Sequence, residues 1–531
     1  MYKFSNKDNF AFLAIFIVGF LTFGWSINSG FLLYDDTYNI VLNPFFLSDT
    51  VHEIWVKPYF GMYIPGIYTV WYGFWKIFDG QSWPFHTLNI LLHSYNTLLL
   101  FLILRFVKTP KITAFLCVLL FEIHPLQVES VVWITEGRGL AAFSFSLSAI
   151  YIWLCGKRKP INEGWAFLLY VLSLIFKPHL AFLPFIIIFF RIKKPFRILD
   201  MISPLFALTV GIVLLLFTSK IQSLDSDTAI NFGHRIIILL DHLGFILSKV
   251  LVPLPLIVDY GLTPHLLLKT NYWIIGLCGI IAATFLLFRF WKSKEIIGLL
   301  ALSLLVLGWL PQSGLVSTGF QTYSVVADRY AYCILAALVL LVGRTIPDNK
   351  YTHWILALSV LILTTLSIVQ EKNWKDDISL FQRSVDVQEN GFIAQSNLGF
   401  ALLEKNNIQE ALTHFERAHG IIPRDLGPIL GIMLSLTKNE DHIKSIDYGN
   451  QFLNSSESII YNRNSVHLPK FYFTLGYNYT QKQTWLEAHK YFCLSQSHES
   501  LGPSNYGLED NIKKVETVMK NGQIEFITCQ K

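Results

Sequence analysis

Charge is what this chain has least of. Asp, Glu, Lys and Arg make up only 15% of its 531 residues, where a soluble protein needs about a quarter to solvate its surface. That shortage excludes an ordinary soluble enzyme. Cysteine is scarce too, at six residues. Cys117, Cys155, Cys278 and Cys333 fall in or beside apolar runs, and no CxxC or Cys/His spacing marks a zinc site. Cys493 and Cys529 can pair in an oxidising compartment, but two cysteines make no disulfide framework. The net charge is only +5, which fits Lys and Arg on cytoplasmic loops and gives no footprint for nucleic acid. No internal repeat is visible in the apolar part, so a transporter of repeated halves loses its main sequence sign.

Apolar residues are abundant: 53% of the chain is hydrophobic, 15% is aromatic, and the mean hydropathy is +0.45. The expected fold is all-α, a polytopic membrane bundle over residues 1–370. The first apolar run, Phe10 to Ile27, follows Lys3 and Lys7. It is too long for a signal-peptide core and no small-x-small cleavage site follows it, so it reads as a retained span starting in the cytoplasm. Gly30 to Phe85 is then extracytoplasmic. It carries Asp35, Asp36, Asp49 and Glu53, with Trp55, Trp71, Trp75 and Trp83 suited to the membrane interface.

Basic residues orient the later runs. Arg105 to Lys111, Lys157 to Lys159, Arg191 to Arg197, Arg289 to Lys294, and Arg344 mark cytoplasmic turns. The result is about eleven spans, several shorter than the ~20 residues of a straight crossing, with the C-terminal part outside. Ile236 to Val252 is interrupted by Asp241, His242 and Lys249 and is placed in the outer interface. Were it to cross, the C-terminal part would move to the cytoplasm.

From Asn373 the composition turns polar and a 34-residue period appears. Leu398, Gly399, Leu402, Ala411, Phe415, Ala418 and Pro423 match the tetratricopeptide pattern. Tyr472, Leu475, Gly476, Tyr479, Ala488 and Phe492 form a second copy, Leu430 to Phe452 a degenerate one, and Phe381 lies in a preceding helix. Residues 371–531 are therefore expected to form a short tetratricopeptide-like α-solenoid.

With this orientation the outer face collects Asp35, Asp36, His86, His124, Glu129, Glu136, Arg138, Lys177, His179, Asp259, Asp328 and Arg329. Ionisable groups at membrane depth are costly and mark a polar site. A carboxylate there can accept the proton of an attacking hydroxyl, and Arg138, Lys177 and Arg329 can neutralise a departing phosphate. Asp35 and Asp36 are the catalytic candidates. His86, His124, Glu129, Arg138, Lys177, Asp328 and Arg329 are the donor-phosphate or site-shaping set. The second acid can orient the acceptor or hold a divalent cation; one carboxylate pair asserts no metal or other cofactor. Each group also has a structural reading. Asp35 and Asp36 can cap a helix. His86, Asn89, His93 and Asn96, at helical spacing, can simply bond neighbouring helices. Glu129, Glu136 and Arg138 can be structural ion pairs.

At these residues the chain resembles the GT-C membrane glycosyltransferases joined to tetratricopeptide repeats, the transmembrane and tetratricopeptide repeat-containing O-mannosyltransferase-like proteins and their bacterial relatives. The resemblance rests on Tyr34-Asp35-Asp36, on Pro84 to His93, on His124 to Val131 with Arg138, and on Phe176-Lys177-Pro178. It extends to Val258 to Gly261, to Ala327 to Tyr332, and to the repeats after Trp374. It implies a polyprenyl-phosphate sugar donor, commonly mannose, as substrate, a hydroxyl acceptor on a protein or glycan, and Asp35 as base. It places the chain in a membrane, the plasma (inner) membrane of a bacterium or the endoplasmic reticulum of a eukaryote, with active site and repeats extracytoplasmic. The repeats would hold the acceptor or a partner protein. His179 departs from the family, which often has an acid after the Lys. The alternative from another class is a non-catalytic membrane scaffold whose repeats recruit partners.

Overall fold

The computed structural model describes residues 6–47, 50–155, 159–192, 199–222, 230–293, 295–462, 465–499, 501, 507–526 and 529. The basic markers Lys157, Arg158, Lys193, Lys194, Arg197 and Lys294, and the acid Asp49, lie outside them. The described elements are helical, and the chain forms two compact units. Residues 1–31 and 54–376 make the first; residues 32–53 and 377–531 make the second. The sequence division near residue 370 therefore has a further feature. The short segment bearing Asp35 and Asp36 belongs to the C-terminal unit.

The first unit contains α1 (Asn6–Phe23), α2 (Pro65–Ile77), α3 (Trp83–Phe106), α4 (Lys111–Glu122), α5 (Gln127–Val132), α6 (Gly137–Cys155) and α7 (Pro160–Phe176). It continues with α8 (Pro184–Ile192), α9 (Leu199–Gln222), α10 (Phe232–Leu251), α11 (Tyr272–Ser293), α12 (Ile296–Trp309), α13 (Tyr332–Thr345) and α14 (Lys350–Glu371). Four helical segments are long and apolar enough to cross a membrane: Asn9–Asn28, Trp83–Phe106, Tyr272–Ser293 and Lys350–Trp374. Shorter apolar helices include Pro160–Phe176, Met201–Phe217 and Ile296–Gln312. The apolar stretch from Leu180 to Phe190 is not one helix: a single 3-10 turn at Pro178–Leu180 precedes α8, which starts on Pro184. A proline at a first helical position loses no hydrogen bond there and ends whatever helix precedes it.

The polar residues at helical spacing on α3 do bond neighbouring helices. Asn89 Nδ2 donates to the Trp133 carbonyl at 3.0 Å and Asn96 Nδ2 to the Leu140 carbonyl at 3.2 Å. His93 Nε2 bonds the Glu122 carbonyl at 2.9 Å, and its Nδ1 pairs with the Tyr332 hydroxyl at 2.9 Å. The buried Glu122 carboxylate accepts from the hydroxyls of Ser94 and Thr97.

The charges interrupting Ile236 to Val252 do not break the helix, because each finds an internal partner. Asp241 accepts the Trp273 backbone N–H at 2.6 Å, capping α11 where the helix dipole favours an acid. His242 Nδ1 accepts the Trp309 indole N–H at 3.1 Å, and Arg235 donates to Gln321 Oε1 at 2.7 Å. Helices α10 and α11 cross at Gly244 and Gly276. A methyl group on Gly244 would lie 1.9 Å from the Tyr272 carbonyl oxygen, and one on Gly276 2.0 Å from that of Leu240. Only backbone fits there.

Helices of the second unit are α15 (Asp377–Val387), α16 (Phe392–Glu404), α17 (Ile408–Ile421), α18 (Leu426–Lys438) and α19 (His442–Leu453). They are followed by α20 (Ser456–Asn462), α21 (Leu468–Gln481), α22 (Trp485–Ser497) and α23 (Leu508–Asn521). The turns closing α16–α17, α18–α19 and α21–α22 each use a residue with positive φ: Asn406, Glu440 and Gln483. The Phe415 ring fills the notch left by two glycines, Gly399 and Gly431, whose Cβ atoms would meet it at 2.7 and 2.3 Å.

Gly244→Val should drive a branched side chain into the α11 backbone. Overpacking costs typically ~1–3 kcal/mol and should be larger here, so the detergent-solubilised variant should melt well below the parent in a thermal-shift assay.

Candidate active site

After α4 the chain makes a compact, buried return through α5 and a 3-10 turn, Ile134–Glu136. Glu129 and Glu136 are both buried on it, and each meets a cation brought from elsewhere in the same unit. Arg329 pairs with Glu129 through its guanidinium and donates its backbone N–H to Glu129 Oε2 at 2.9 Å. Lys177 Nζ lies 3.1 and 3.0 Å from the two Glu136 oxygens, and Arg138 Nη2 lies 3.4 Å from Oε1.

Local sequence explains two of these placements. Pro178 disfavours a helical residue before it, so α7 stops at Phe176 and Lys177 is extended, with φ −163° and ψ 117°. Gly139 leaves room: a methyl group there would sit 2.6 Å from Glu136 Oε2 and 3.4 Å from Lys177 Nζ.

Aromatic rings wall the cluster. The Arg329 guanidinium lies over Phe320, Tyr330 and Trp133 at 4.9, 5.1 and 5.3 Å, and Arg138 lies 5.9 Å from Trp133. Asp328 is also buried, and its Oδ1 accepts the Tyr260 hydroxyl at 2.7 Å. Lys249 is close enough to Asp328 to interact electrostatically, and its Nζ donates to the Pro255 carbonyl at 2.8 Å.

The protonation balance follows from burial against charge. Burial works to raise Glu136, but Lys177, Arg138 and Arg329 together outweigh it and hold the acid down to about 2. For Glu129, burial wins over Arg329 and the carboxyl stays above its usual range. Burial, and then the neighbouring Glu129, push Asp328 well above the usual carboxylate range. Burial lowers Lys177, with Arg138 and Arg329 adding to it and Glu136 opposing. Four cations (Arg138, Lys177, Lys249 and Arg329) thus face three acids, and burial pushes Lys177 and Lys249, like Glu129 and Asp328, toward the neutral form. Among these groups the Arg138 Nε is buried without a hydrogen-bond partner.

Asp35 and Asp36 stand in the other unit. Asp35 is partly buried with φ +68°, in the left-handed region that Asp tolerates better than most residues. Its carbonyl accepts from the Asn39 backbone at 2.9 Å and the Asn39 amide at 3.1 Å. Asp36 is fully buried, and its Oδ2 accepts the Leu32 N–H at 3.2 Å, closing the turn before the π-helical Thr37–Val41. The two adjacent acids therefore have different environments.

Of the remaining candidates, His124 ties backbone together. Leu126 N–H donates to its Nδ1 at 3.2 Å and its Nε2 bonds the Val250 carbonyl at 3.1 Å; burial pushes it down to about 4. His86 is buried against the backbone of Ser29, Gly30 and Val132. Asp259 Oδ1 accepts the Gly261 N–H at 2.9 Å within its own turn. The His179 side chain lies outside the description. Sequence reasoning gave no role to Lys249, Tyr260 or Trp133. The one available signal was Lys249 interrupting an apolar run.

No family model matches the chain. It is 23% identical over 427 residues to protein O-mannosyl-transferase F38B6.6 of Caenorhabditis elegans, a match covering 74% of this chain and 60% of the worm protein. It is 32% identical over 149 residues to protein O-mannosyl-transferase TMTC3 of Homo sapiens, covering 27% of this chain and 16% of that protein. The Drosophila melanogaster Tmtc3 is 29% identical over 143 residues, 25% of this chain and 15% of that protein's length. The similarity is to protein O-mannosyl-transferases. The four long apolar helical segments are those of a membrane protein. The chain spans 60% of the length of the worm protein and about a sixth of the length of the other two.

Glu136→Gln should leave Lys177 and Arg138 facing a neutral amide, and breaking a buried pair costs ~3–5 kcal/mol. Because the folded-state value of Glu136 lies below its ordinary 4.5, its contribution to stability is complete above that pH and is lost as pH falls toward about 2. Melting curves of parent and variant should therefore converge between those pH values. A constant gap would refute the assignment.

Proposed function

We propose that this chain is a GT-C-type glycosyltransferase that moves a sugar, mannose or another hexose, from a polyprenyl-phosphate carrier to a protein hydroxyl on the extracytoplasmic side of a membrane. The observation that carries the reading is the buried cluster of Arg138, Lys177 and Arg329. Three cations there meet two acids, Glu129 and Glu136, and a buried guanidinium N–H of Arg138 is left over. A phosphate oxygen supplies both the missing charge and the missing acceptor.

In this reading the cluster binds the donor phosphate and stabilises the charge that develops as the sugar leaves. Glu129 and Glu136 hold the cations in place. Asp35, with its carboxylate on a partly exposed turn, takes the proton of the attacking hydroxyl. Asp36, turned onto the Leu32 N–H, fixes the shape of that turn. Inversion at the sugar carbon follows from direct attack on a good leaving group. The acids do not fit a divalent cation. Glu129 and Glu136 are engaged by Arg329, Lys177 and Arg138, and Asp36 by its own turn, so no step is routed through a metal.

The C-terminal helices serve as a tetratricopeptide-like solenoid for the acceptor or a partner protein. The matched glycine and phenylalanine positions support this, since Phe415 occupies the notch between Gly399 and Gly431.

Membranes carrying Asp35→Asn should lose transfer from polyprenyl-phosphate-mannose by about 10²–10⁴-fold, the usual worth of a general base. Asp36→Asn should lose less, and Lys177→Met should raise the donor KM. Full activity in Asp35→Asn would remove the base assignment.

A further inference from the structure

The stretch after α23 folds back onto α22. Phe526 and Cys529 pack against a small core that includes Phe473, Phe492 and Val515, and the Phe526 ring meets His489 edge-on at 5.0 Å. Cys529 is joined by a disulfide to Cys493 on α22, with Cα atoms 5.1 Å apart. His489 lies one helical turn before Cys493, so both side chains leave the same face of α22. The imidazole is buried, and its Nε2 lies 3.8 Å from Cys493 Sγ, 3.9 Å from Cys529 Sγ and 3.2 Å from Oε1 of Glu516 on α23. Among the described residues, His489, Cys493 and Cys529 are the group whose possible metal-ligand atoms all lie within 4.8 Å of one another.

A disulfide needs neither a histidine nor a carboxylate beside it, whereas a metal does. A tetrahedral zinc with nitrogen and oxygen at about 2.0 Å and sulfur at about 2.3 Å sets N–O edges of about 3.3 Å and N–S edges of about 3.6 Å. The separations around Nε2 lie close to those edges. Only the two sulfurs have to part, to about 3.8 Å in the same tetrahedron, and breaking the bond between them permits that. Soft thiolates with an imidazole select zinc over magnesium or calcium, which take oxygen ligands. The ligands are scattered over positions 489, 493, 516 and 529, so spacing along the sequence does not mark the site.

We propose that reduction converts this disulfide into a site for one zinc ion, held by His489 Nε2, the thiolates of Cys493 and Cys529, and the Glu516 carboxylate, and that the ion replaces the S–S bond as the tie between α22 and the stretch that bears Cys529. The two cysteines are half-buried, which leaves the sulfurs open to a small reductant. A dithiol reductant supplies two electrons and two protons, leaves as its own disulfide, and frees two thiols. Zinc then displaces both thiol protons to solvent, because only thiolates bind it. Either state pins the same two elements together, and the reduced state without metal does not.

The site stands apart from the proposed transfer activity, and its test does not read that activity. The full chain in detergent is titrated with Co²⁺ as the probe, before reduction and after a dithiol reductant has been added and removed. The reduced parent should take up one Co²⁺ per chain, with a thiolate-to-cobalt charge-transfer band and the visible bands of tetrahedral cobalt, and Zn²⁺ should abolish both. The oxidised parent should show neither. His489→Gln should still form the disulfide by thiol count, which shows that the variant folds, and should lose the tetrahedral bands after reduction. Glu516→Gln should bind Co²⁺ about 10–100-fold more weakly, the usual worth of a group that supports a metal ligand. Absence of the bands in a reduced parent that has gained two thiols would overturn the site, as would bands in the oxidised parent or bands unchanged in His489→Gln.

Discussion

A carboxylate can stay inside an apolar helical bundle only if a cation is brought to it. Glu129 and Glu136 set that condition, and much of the first unit is arranged to meet it. Arg329 arrives from 200 residues away and Lys177 from 41. To deliver them, α7 must end at Lys177 and the chain before α13 must approach α5 closely enough for the Arg329 backbone N–H to bond Glu129 as well as its guanidinium. Stability alone gives little reason for the arrangement. Apolar residues of similar volume often serve as well as a buried ion pair or better, so seven ionisable groups in one place point to a ligand that needs them.

The helical class and the chemical character of the loops were legible because both are local properties. Apolar runs, basic turns and the order of the charged strings are printed along the chain. The ion pairs were legible only as candidates: nothing in the sequence says that Glu136 faces Lys177, while Glu129 faces Arg329. Tyr260 with Asp328 was hidden for the same reason, a hydrogen bond across 68 residues having no period. Glu122 sits in the otherwise apolar stretch Ile112 to Ile123. Its acceptance from Ser94 and Thr97 depends on α3 and α4 lying side by side, which hydropathy does not report. Asp36 looked like a twin of Asp35. Backbone geometry distinguishes them, since the left-handed turn at Asp35 is what lets the Asp36 side chain fold back onto Leu32.

The 34-residue period was legible because it is enforced by packing of small against large side chains, and both partners recur in sequence. Its interruption was less so. Phe392 and Leu426 begin helices 34 residues apart, while the next equivalent start, Leu468, follows after 42. The extra length holds α20, and that short helix is not slack. Its last residue, Asn462, accepts the Leu426 N–H at 3.1 Å and donates to the Arg424 carbonyl at 2.6 Å. It thereby satisfies backbone groups at the start of α18 that a helix end leaves open. The insertion also places His467 immediately before α21, where Tyr38 reaches it. Burial pushes that imidazole down to about 4, with Lys470 adding to the effect, so it stays neutral and can stack on Phe400 while pairing with the tyrosine. An uninterrupted period would start that helix eight residues earlier and bring no histidine to this position. The irregular unit is thus the one that receives the aspartate-bearing turn, which gives its departure from the repeat a physical reason.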